Sequence, residues 1–367
     1  MPIDEDNALS GQYHDWDIDS WPIAQQDPTK DDQQFPWVAA DESGTTGENL
    51  TDRQSVIAHA ALKIDDDMAA PLVEDLRRRL RITQARELKF SHFSKERAAR
   101  ELVELFESGG PLADRTNIVV AEKRFVAVSK MIDLLIEEWA YDHDIDLYRN
   151  GSARRMARTF FRDGPRALKD AWEPLIVAFV GLARAVQRQG VKEDVQSFYR
   201  RLDQARWICH RRSVEEILIL LLETRPYAER LVYDTTHRTS SVPHLDPLAA
   251  LIPDNIRYWY QTSGDFRLLH DEHSLLTPDF VMLMLRALWV THPSLVGIAP
   301  KARVAYFATG KSSEHPSIQL ADLAAGAGRV VVAAHLGQIT PTASILKSAF
   351  APLITWGLLP DSSFWES

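Results

Sequence analysis

The chain is poor in cysteine and carries no recognisable export or membrane segment. Its 367 residues include a single cysteine, Cys209, which excludes an internal disulfide and a cysteine-based zinc cage. The N-terminus is acidic and lacks the apolar core of a secretory signal. No apolar run has the length that a bilayer span requires. None of the twelve histidines shows zinc spacing, and His-Glu-x-x-His is absent. These absences predict a cytoplasmic protein that makes no membrane contact.

The net charge of -10 is concentrated at one end of the chain. Residues 1–34 hold nine acidic side chains and one basic side chain, whereas the remainder holds 43 acidic and 41 basic ones. The tail has no hydrophobic periodicity, so we expect it to be flexible. Because the rest of the chain is nearly neutral, the overall charge neither excludes nor predicts a polyanionic partner.

Hydrophobic patterning predicts an α/β protein with a long helical interruption. Short apolar runs bounded by turn residues are typical of buried strands. Between about residue 142 and residue 228 only helical patterns occur. The predicted strands are Phe35–Ala40, Ser55–Ile64, Thr116–Glu122, Leu231–Asp234, Phe266–His270 and Ala302–Ala308.

The stretch from Phe35 to Gly47 combines a strand with an abrupt polar end. The apolar run stops at Asp41, Glu42 and Ser43, and Gly44 and Gly47 then permit a sharp turn because glycine tolerates positive φ. A strand that ends in an acid delivers that acid to the edge of a sheet, where a metal or ligand can reach it. A hairpin with a polar turn would require the same residues, so this stretch alone leaves both interpretations open.

Further acids recur in comparable positions. A second apolar strand ends in Asp271, and Gln319 and Asp322 share one face of a helix built from small residues. Clustered carboxylates repel one another unless cations lie between them, and Mg²⁺ or Mn²⁺ prefers oxygen ligands. The pattern therefore predicts a site for two divalent ions. Its predicted metal ligands are Asp41, Glu87, Asp271 and Asp322, and Lys89 is expected to contact a phosphate or balance the charge.

The order of these motifs resembles the family catalogued as domain of unknown function 3800. The resemblance covers roughly residues 37–331. It implies a ribonuclease-H-like fold, a metal-dependent nuclease acting on DNA or RNA, and a role in phage defence or a mobile element. The motifs that carry it are Asp41-Glu42-Ser43-Gly44, Glu87-Leu88-Lys89, Asp271-Glu272 and Ile318-Gln319-Leu320-Ala321-Asp322-Leu323-Ala324-Ala325-Gly326.

The resemblance also implies how the chain is divided. Residues 35–141 and 231–367 would form the two parts of a ribonuclease-H-like core with its mixed central sheet, the second including the C-terminal segment. Residues 142–230 would form a large all-helical insertion. This insertion or the acidic tail would offer a surface for a protein partner.

The resemblance assigns each ligand position of the family to one residue of this chain. Asp41 matches the first-strand ligand, Asp271 the fourth-strand ligand and Asp322 the ligand on the late helix. Glu87 precedes the third predicted strand, whereas the fold in general carries its second acid on the following helix. Asp133 lies on that helix and competes with Glu87 for the role.

Two other functions fit parts of the sequence. The run Asp41–Gly47 loosely resembles the first phosphate loop of actin-like nucleotide-binding phosphotransferases, although no convincing adenosine loop follows. The fold could also serve as a non-catalytic scaffold or protein-interaction module. His270 and His273 flank Asp271, and they would be acid–base groups, phosphate contacts or solvated surface residues. Ser43 has no evident His/Asp partners, which argues against a serine hydrolase.

Overall fold

The computed structural model describes residues 34–147, 151–184, 194–237, 243–289, 301–361 and 363–366. Apart from Gln34, the predicted acidic tail lies outside the described residues.

A mixed six-stranded sheet forms the centre of the protein, so the predicted α/β class with helices around a mixed sheet is confirmed. The strand order is β5-β4-β1-β2-β3-β6. β2 is antiparallel to both of its neighbours, whereas the other three pairings are parallel. The strands are β1 (Trp37–Ser43), β2 (Val56–Leu62), β3 (Thr116–Glu122), β4 (Arg267–Asp271), β5 (Tyr306–Gly310) and β6 (Ile354–Leu358).

One face of the sheet, the α12 face, packs against a layer of four helices: α1 (Asp66–Leu80), α2 (Glu96–Phe106), α12 (Pro316–His335) and α13 (Ala343–Phe350). α12 approaches the sheet closely at its glycines. A Cβ atom added at Gly328 would lie 2.8 Å from Cγ2 of Ile118 on β3, and one added at Gly326 would lie 2.1 Å from Cγ of Phe90. Small residues therefore let α12 lie directly on the sheet and on the segment that contains Phe90.

The opposite face, the insertion face, carries the longer helical part of the chain. Its first helix, α3 (Lys123–Met131), continues through a π-helical segment, Ile132–Glu137, into α4 (Glu138–Tyr141). The remaining helices of this layer are α5 (Ser152–Leu168), α6 (Trp172–Ala183), α7 (Val195–Ile208), α8 (Arg212–Glu223), α9 (Arg225–His237), α10 (Leu248–Ser263) and α11 (Pro278–Trp289). A short helix, α14 (Ser363–Glu366), follows the last strand.

The length and composition of α12 would allow it to cross a membrane, which differs from the expectation that no segment would. It is the one helix in the described ranges with these properties. In the fold, 83% of its apolar window is buried inside the protein. Its apolar composition is accounted for by its packing against the sheet, so this helix is weak evidence for a membrane span.

One predicted strand is a helix in the structure, and the strand predicted at Ala302–Ala308 begins and ends later, as β5 (Tyr306–Gly310). The predicted strand Leu231–Asp234 is wrong, because these residues belong to α9. Ala228, Leu231 and Thr235 are buried at spacings of three and four residues, which is the repeat of a helix rather than a strand. α9 also crosses the boundary predicted at residues 230 and 231.

The C-terminal segment packs on the body by adding an edge strand, β6, that hydrophobic patterning does not predict. Gly357 allows its close approach, because a Cβ atom at this position would lie 2.7 Å from Cγ2 of Val120. Cys209 directly follows α7 and is partly exposed.

Candidate active site

Asp41 and Asp271 lie side by side on neighbouring parallel strands. Ala40 pairs with His270, so the next residue of each strand lies at the same level and on the α12 face. Asp271 is the last residue of β4, as predicted. β1 continues two residues past Asp41, to Ser43, because it still pairs with β2 there. Asp41 is therefore an interior strand residue, and only 6% of its surface is exposed.

α12 contributes two side chains that bind the segment before α2. Oδ2 of Asp322 accepts a hydrogen bond from the backbone N–H of Phe90 at 2.7 Å. Gln319, one turn earlier, accepts from the N–H of Leu88 at 2.8 Å and donates to the carbonyl of Ser312 at 2.7 Å. The polar pair predicted to need a partner therefore ties two separate loops to the helix.

Ser312 links Glu87 to Asp271, a role that the sequence did not indicate. Its hydroxyl donates to Oε2 of Glu87 at 2.5 Å, and its backbone N–H donates to Oδ1 of Asp271 at 3.1 Å. The other carboxylate oxygen of Glu87 lies 2.7 Å from Nζ of Lys89. Glu87 and Lys89 therefore stand at the rim of the acids that come from the sheet and α12.

We call Asp41, Asp271 and Asp322 the carboxylate cluster. Burial raises the pKa of all three, most strongly that of Asp41, where the charges of Glu42, Asp322 and Asp271 raise it further. Charge repulsion from Glu87 also raises the pKa of Asp271 and Asp322. The cluster thus gathers more negative charge than its buried surroundings stabilise.

Lys89 provides the main local compensation. Its hydrogen bond to Glu87 raises the pKa of the Lys89 ammonium group, and attraction to Asp322 and Asp271 adds to this effect. The same hydrogen bond, together with that of Ser312, lowers the pKa of Glu87. The exposed Lys89, with the more buried Arg329 that Asp322 attracts, therefore faces several carboxylates, which leaves room for further positive charge.

Glu42 points to the insertion face, opposite to Asp41, as strand alternation requires. Its side chain is only 10% exposed. Oε1 lies 3.8 Å from Nε2 of His273, and within the described part of the chain Oε2 is buried without a hydrogen-bond partner. Burial, followed by repulsion from Asp271 and Asp246, raises the pKa of Glu42 to about 8. Sequence reasoning noted this acid but gave it no role.

Asp133 lies in the π-helical segment on the insertion face, away from the carboxylate cluster. Its carboxylate is 4.0 Å from Nζ of Lys130, and burial raises its pKa. Glu87, in contrast, interacts electrostatically with both Asp271 and Asp322. Of the two competing acids, the structure brings Glu87 to the cluster.

The turn after β1 has the glycine conformations that the sequence predicts, with φ of 89° at Gly44 and 64° at Gly47. Its hydroxyl groups make internal hydrogen bonds. Oγ of Ser43 accepts from Nε of Arg329 at 3.1 Å, and Oγ1 of Thr46 donates to Asp52 at 2.6 Å.

His270 and His273 are less exposed than a solvated surface position would be. His270 is fully buried on the insertion face, and its Nε2 lies 3.0 Å from Nε2 of His59 on β2. Burial lowers the pKa of His270 to about 4. Burial and the neighbouring ring lower the pKa of His59 well below its usual value, so both rings are neutral at pH 7.

His59 and His270 belong to a chain of buried hydrogen bonds in which every donor points in the same direction. The amide of Asn255 donates to Nδ1 of His59 at 2.7 Å, which puts the proton of His59 on Nε2. That proton is donated to Nε2 of His270, whose Nδ1 then donates to the carbonyl of Asp271 at 2.9 Å. Single-sequence patterns gave no signal for this arrangement.

The same chain continues away from the candidate site. Nδ2 of Asn117 donates to Oδ1 of Asn255 at 2.6 Å, and Oγ1 of Thr355 donates to Oδ1 of Asn117 at 2.7 Å. We call the set His59, His270, Asn255, Asn117 and Thr355 the histidine–asparagine network.

The carboxylate cluster matches a hard divalent cation in chemistry but not yet in geometry. Its donors are all oxygens and its negative charge is in excess, which suits Mg²⁺ or Mn²⁺. Within the described ranges, however, no three His, Cys, Asp or Glu residues are close enough to form a metal-holding group. A metal would therefore have to draw these side chains together.

No protein-family model, curated protein or solved structure gives a significant match to this chain.

Proposed function

We propose that the chain is a metal-dependent nuclease with a ribonuclease-H-like fold, as the resemblance to the domain of unknown function 3800 family implies. The observation that carries the proposal is the meeting of Asp41, Asp271 and Asp322 on one face of the sheet. They come from the first strand, the fourth strand and a late helix. Clustered carboxylates with raised pKa values are typical of sites that act on a ligand or bind a cation.

The side chains have distinct roles in this proposal. Asp41, Asp271 and Asp322, with Glu87 at the rim, would hold the divalent ions. Two bound Mg²⁺ or Mn²⁺ ions would activate a water molecule and stabilise the leaving oxygen in phosphodiester hydrolysis. Lys89 would contact a phosphate oxygen.

Ser312 and Gln319 would position the loops that carry the other groups. Ser312 bonds to both Glu87 and Asp271, and Gln319 ties the segment 87–89 to α12. In this proposal the protein is cytoplasmic, takes DNA or RNA as its substrate and acts in phage defence or a mobile element. Its helical insertion or acidic tail would bind a protein partner.

The test is a cleavage assay with a matched acid control. The native protein, Asp322→Asn and Asp133→Asn are incubated with single- and double-stranded DNA and RNA in Mg²⁺, Mn²⁺ or chelator. We expect cleavage that requires metal, is abolished in Asp322→Asn and persists in Asp133→Asn. Both variants keep the shape of the side chain, so a comparison of their melting temperatures separates loss of function from loss of folding. Undiminished cleavage by Asp322→Asn would refute the assignment.

A non-catalytic scaffold is the second candidate, favoured by the lack of a closed three-ligand group in the described residues. The two candidates differ in their response to metal. A nuclease with this site should melt at a higher temperature when Mg²⁺ or Mn²⁺ is added, because an ion that binds only the folded state stabilises it. A scaffold that has lost the site should melt at the same temperature with and without the ion.

A further inference from the structure

A polar cleft of about 940 Å³ opens beside the candidate active site. It lies between the turn after β1, the segment before α10 and the residues that follow β4. His273, two residues after Asp271, forms part of its wall, and Ser274 lies next to it. Nε2 of His273 lies 3.8 Å from Oε1 of Glu42, the residue after Asp41, so the cleft adjoins the strand ends that carry Asp41 and Asp271. Pockets that bind small organic groups have volumes of about 300–1,000 Å³, so this one is large enough for a base with its sugar.

Two buried polar atoms near the cleft lack partners among the described residues. Nη2 of Arg184, a cleft residue, donates to Oδ1 of Asn49 at 3.2 Å, whereas its Nε is buried without a hydrogen bond. Oε2 of Glu42, beside His273, is the second such atom. A buried polar group without a partner is destabilising, so such groups point to a missing ligand or water.

The charges of the lining describe the kind of ligand that would fit. Arg184 is cationic, whereas Glu48 and Asp246 are acidic, so the cleft has no excess of positive charge that would attract a free anion. Asn49 and Thr45 add polar groups to the same wall. A mixture of donors and acceptors suits a neutral heterocycle with polar edges, such as a nucleobase.

We propose that this cleft receives the base and sugar of an unpaired nucleotide next to the scissile phosphate. The inference rests on the proposed nuclease function, because it is the carboxylate cluster that would hold the phosphate. A base within a duplex is stacked and has its pairing edge occupied, so it enters such a cleft only when it is unpaired. The site is thus selective for single-stranded or locally opened nucleic acid.

The test measures binding with cleavage switched off. In the Asp322→Asn background, the affinity for a labelled single-stranded oligonucleotide is measured by fluorescence anisotropy in Mg²⁺, as DNA and as RNA of the same sequence, and for the corresponding duplexes. Ser274→Trp fills the cleft from an exposed loop position, and Ser348→Trp adds the same bulk at an exposed position on α13. Arg184→Gln removes the unpartnered Nε without adding bulk.

We expect Ser274→Trp and Arg184→Gln to weaken single-strand binding by about tenfold or more, which is about 1.4 kcal/mol. Ser348→Trp should leave it unchanged, and the duplexes should bind more weakly than the single strands. Unchanged single-strand affinity in both cleft variants, or tighter binding of the duplexes, would overturn the inference.

Cleavage by the otherwise native protein is measured in parallel, because it separates the two proposals. If the protein cleaves nucleic acid only with metal and the cleft variants bind normally, the nuclease proposal is supported and the nucleotide-site proposal is refuted. If binding depends on the cleft but no metal condition gives cleavage, the nucleotide-site proposal is supported and the nuclease proposal is refuted.

Discussion

The protein contains two buried polar groupings that meet at adjacent residues of one strand. The histidine–asparagine network ends at the carbonyl of Asp271, and the carboxylate cluster begins with the side chain of the same residue. In the network each donor has an acceptor, and its rings are neutral. In the cluster the acids repel one another, and the nearby Glu42 has a buried oxygen without a partner among the described residues.

On the proposed function, this difference separates a structural grouping from one that would bind a ligand. A fully satisfied polar network stabilises one arrangement of the chain and needs nothing from solution. Excess buried charge is costly unless a cation or a substrate relieves it. The network can therefore act as the rigid support from which β4 presents Asp271, whereas the cluster is the part that should respond to metal.

Breaking the network should have the largest effect on stability. His59→Leu leaves an amide hydrogen of Asn255 and Nε2 of His270 without partners in the interior. We expect the free energy of unfolding to fall by about 3 kcal/mol, since each orphaned buried group costs about 1–3 kcal/mol. Urea denaturation measures this loss, with the exposed His210→Leu as the control.

The increase in melting temperature on adding Mg²⁺ should persist in His59→Leu, because the carboxylates are untouched. A variant as stable as the native protein would show that the network is not needed for the fold.

How well each element could be predicted depends on how local its signal is. The strand Thr116–Glu122 has the predicted bounds, because it has a clear apolar pattern and turn residues at its ends. Residues 354–358 pair at the sheet edge beside β3, far away in sequence, so their own pattern carries little information. Leu231–Asp234 was misassigned because a short apolar run fits a strand or one face of a helix.

The residues of the candidate site also differ in how local their sequence signal is. Asp41, Asp271 and Asp322 could be singled out because each follows or interrupts an apolar element. The pairing of His59 with His270 spans 211 residues, and that of Ser312 with Glu87 spans 225. A single sequence does not show such pairings, because polar residues in loops and strands look alike before the chain folds.

Removing a charge from the cluster should raise the free energy of unfolding, whereas breaking the network should lower it. Asp41→Asn eliminates a buried carboxylate that is repelled by Glu42, Asp322 and Asp271. In chelator at pH 8 we expect the variant to be more stable than the native protein by about 1–2 kcal/mol. It should gain less stability than the native protein when Mg²⁺ is added.

Asp163→Asn is the matched control. Asp163 is as inaccessible to solvent as Asp41 but less deeply embedded, and its ion pairs with Arg162 and Arg211 lower its pKa, so its replacement should destabilise the protein. Equal destabilisation by both substitutions, with a full response to Mg²⁺ in Asp41→Asn, would contradict the proposed excess of charge.

The pH dependence of stability gives the finest test, because Glu42, next to the carboxylate cluster in the chain, and His270, in the network, act with opposite signs. Folding raises the pKa of Glu42 from 4.5 to about 8, so within this window the folded chain holds a proton that the unfolded chain has released. Stability therefore falls as pH rises from 4.5 to 8. Folding lowers the pKa of His270 from 6.5 to about 4, so its contribution to stability is complete above pH 6.5 and is lost as pH falls towards 4.

Between pH 6.5 and pH 8 the folded chain loses the proton of Glu42, whereas His270 stays neutral. Burial raises the pKa values of Glu122 and Glu137 to about 7, so these acids titrate in the same range and the difference between native protein and Glu42→Gln isolates the contribution of Glu42. In chelator, we expect native stability to fall across this range, with Glu42 contributing a slope of up to about 1.4 kcal/mol per pH unit. Glu42→Gln should reduce the slope, whereas His59→Leu should retain it despite its lower stability. Urea denaturation at several pH values measures the three slopes. A native slope that Glu42→Gln leaves unchanged would assign the titration to another group, because the glutamine carries no ionisable proton in this range.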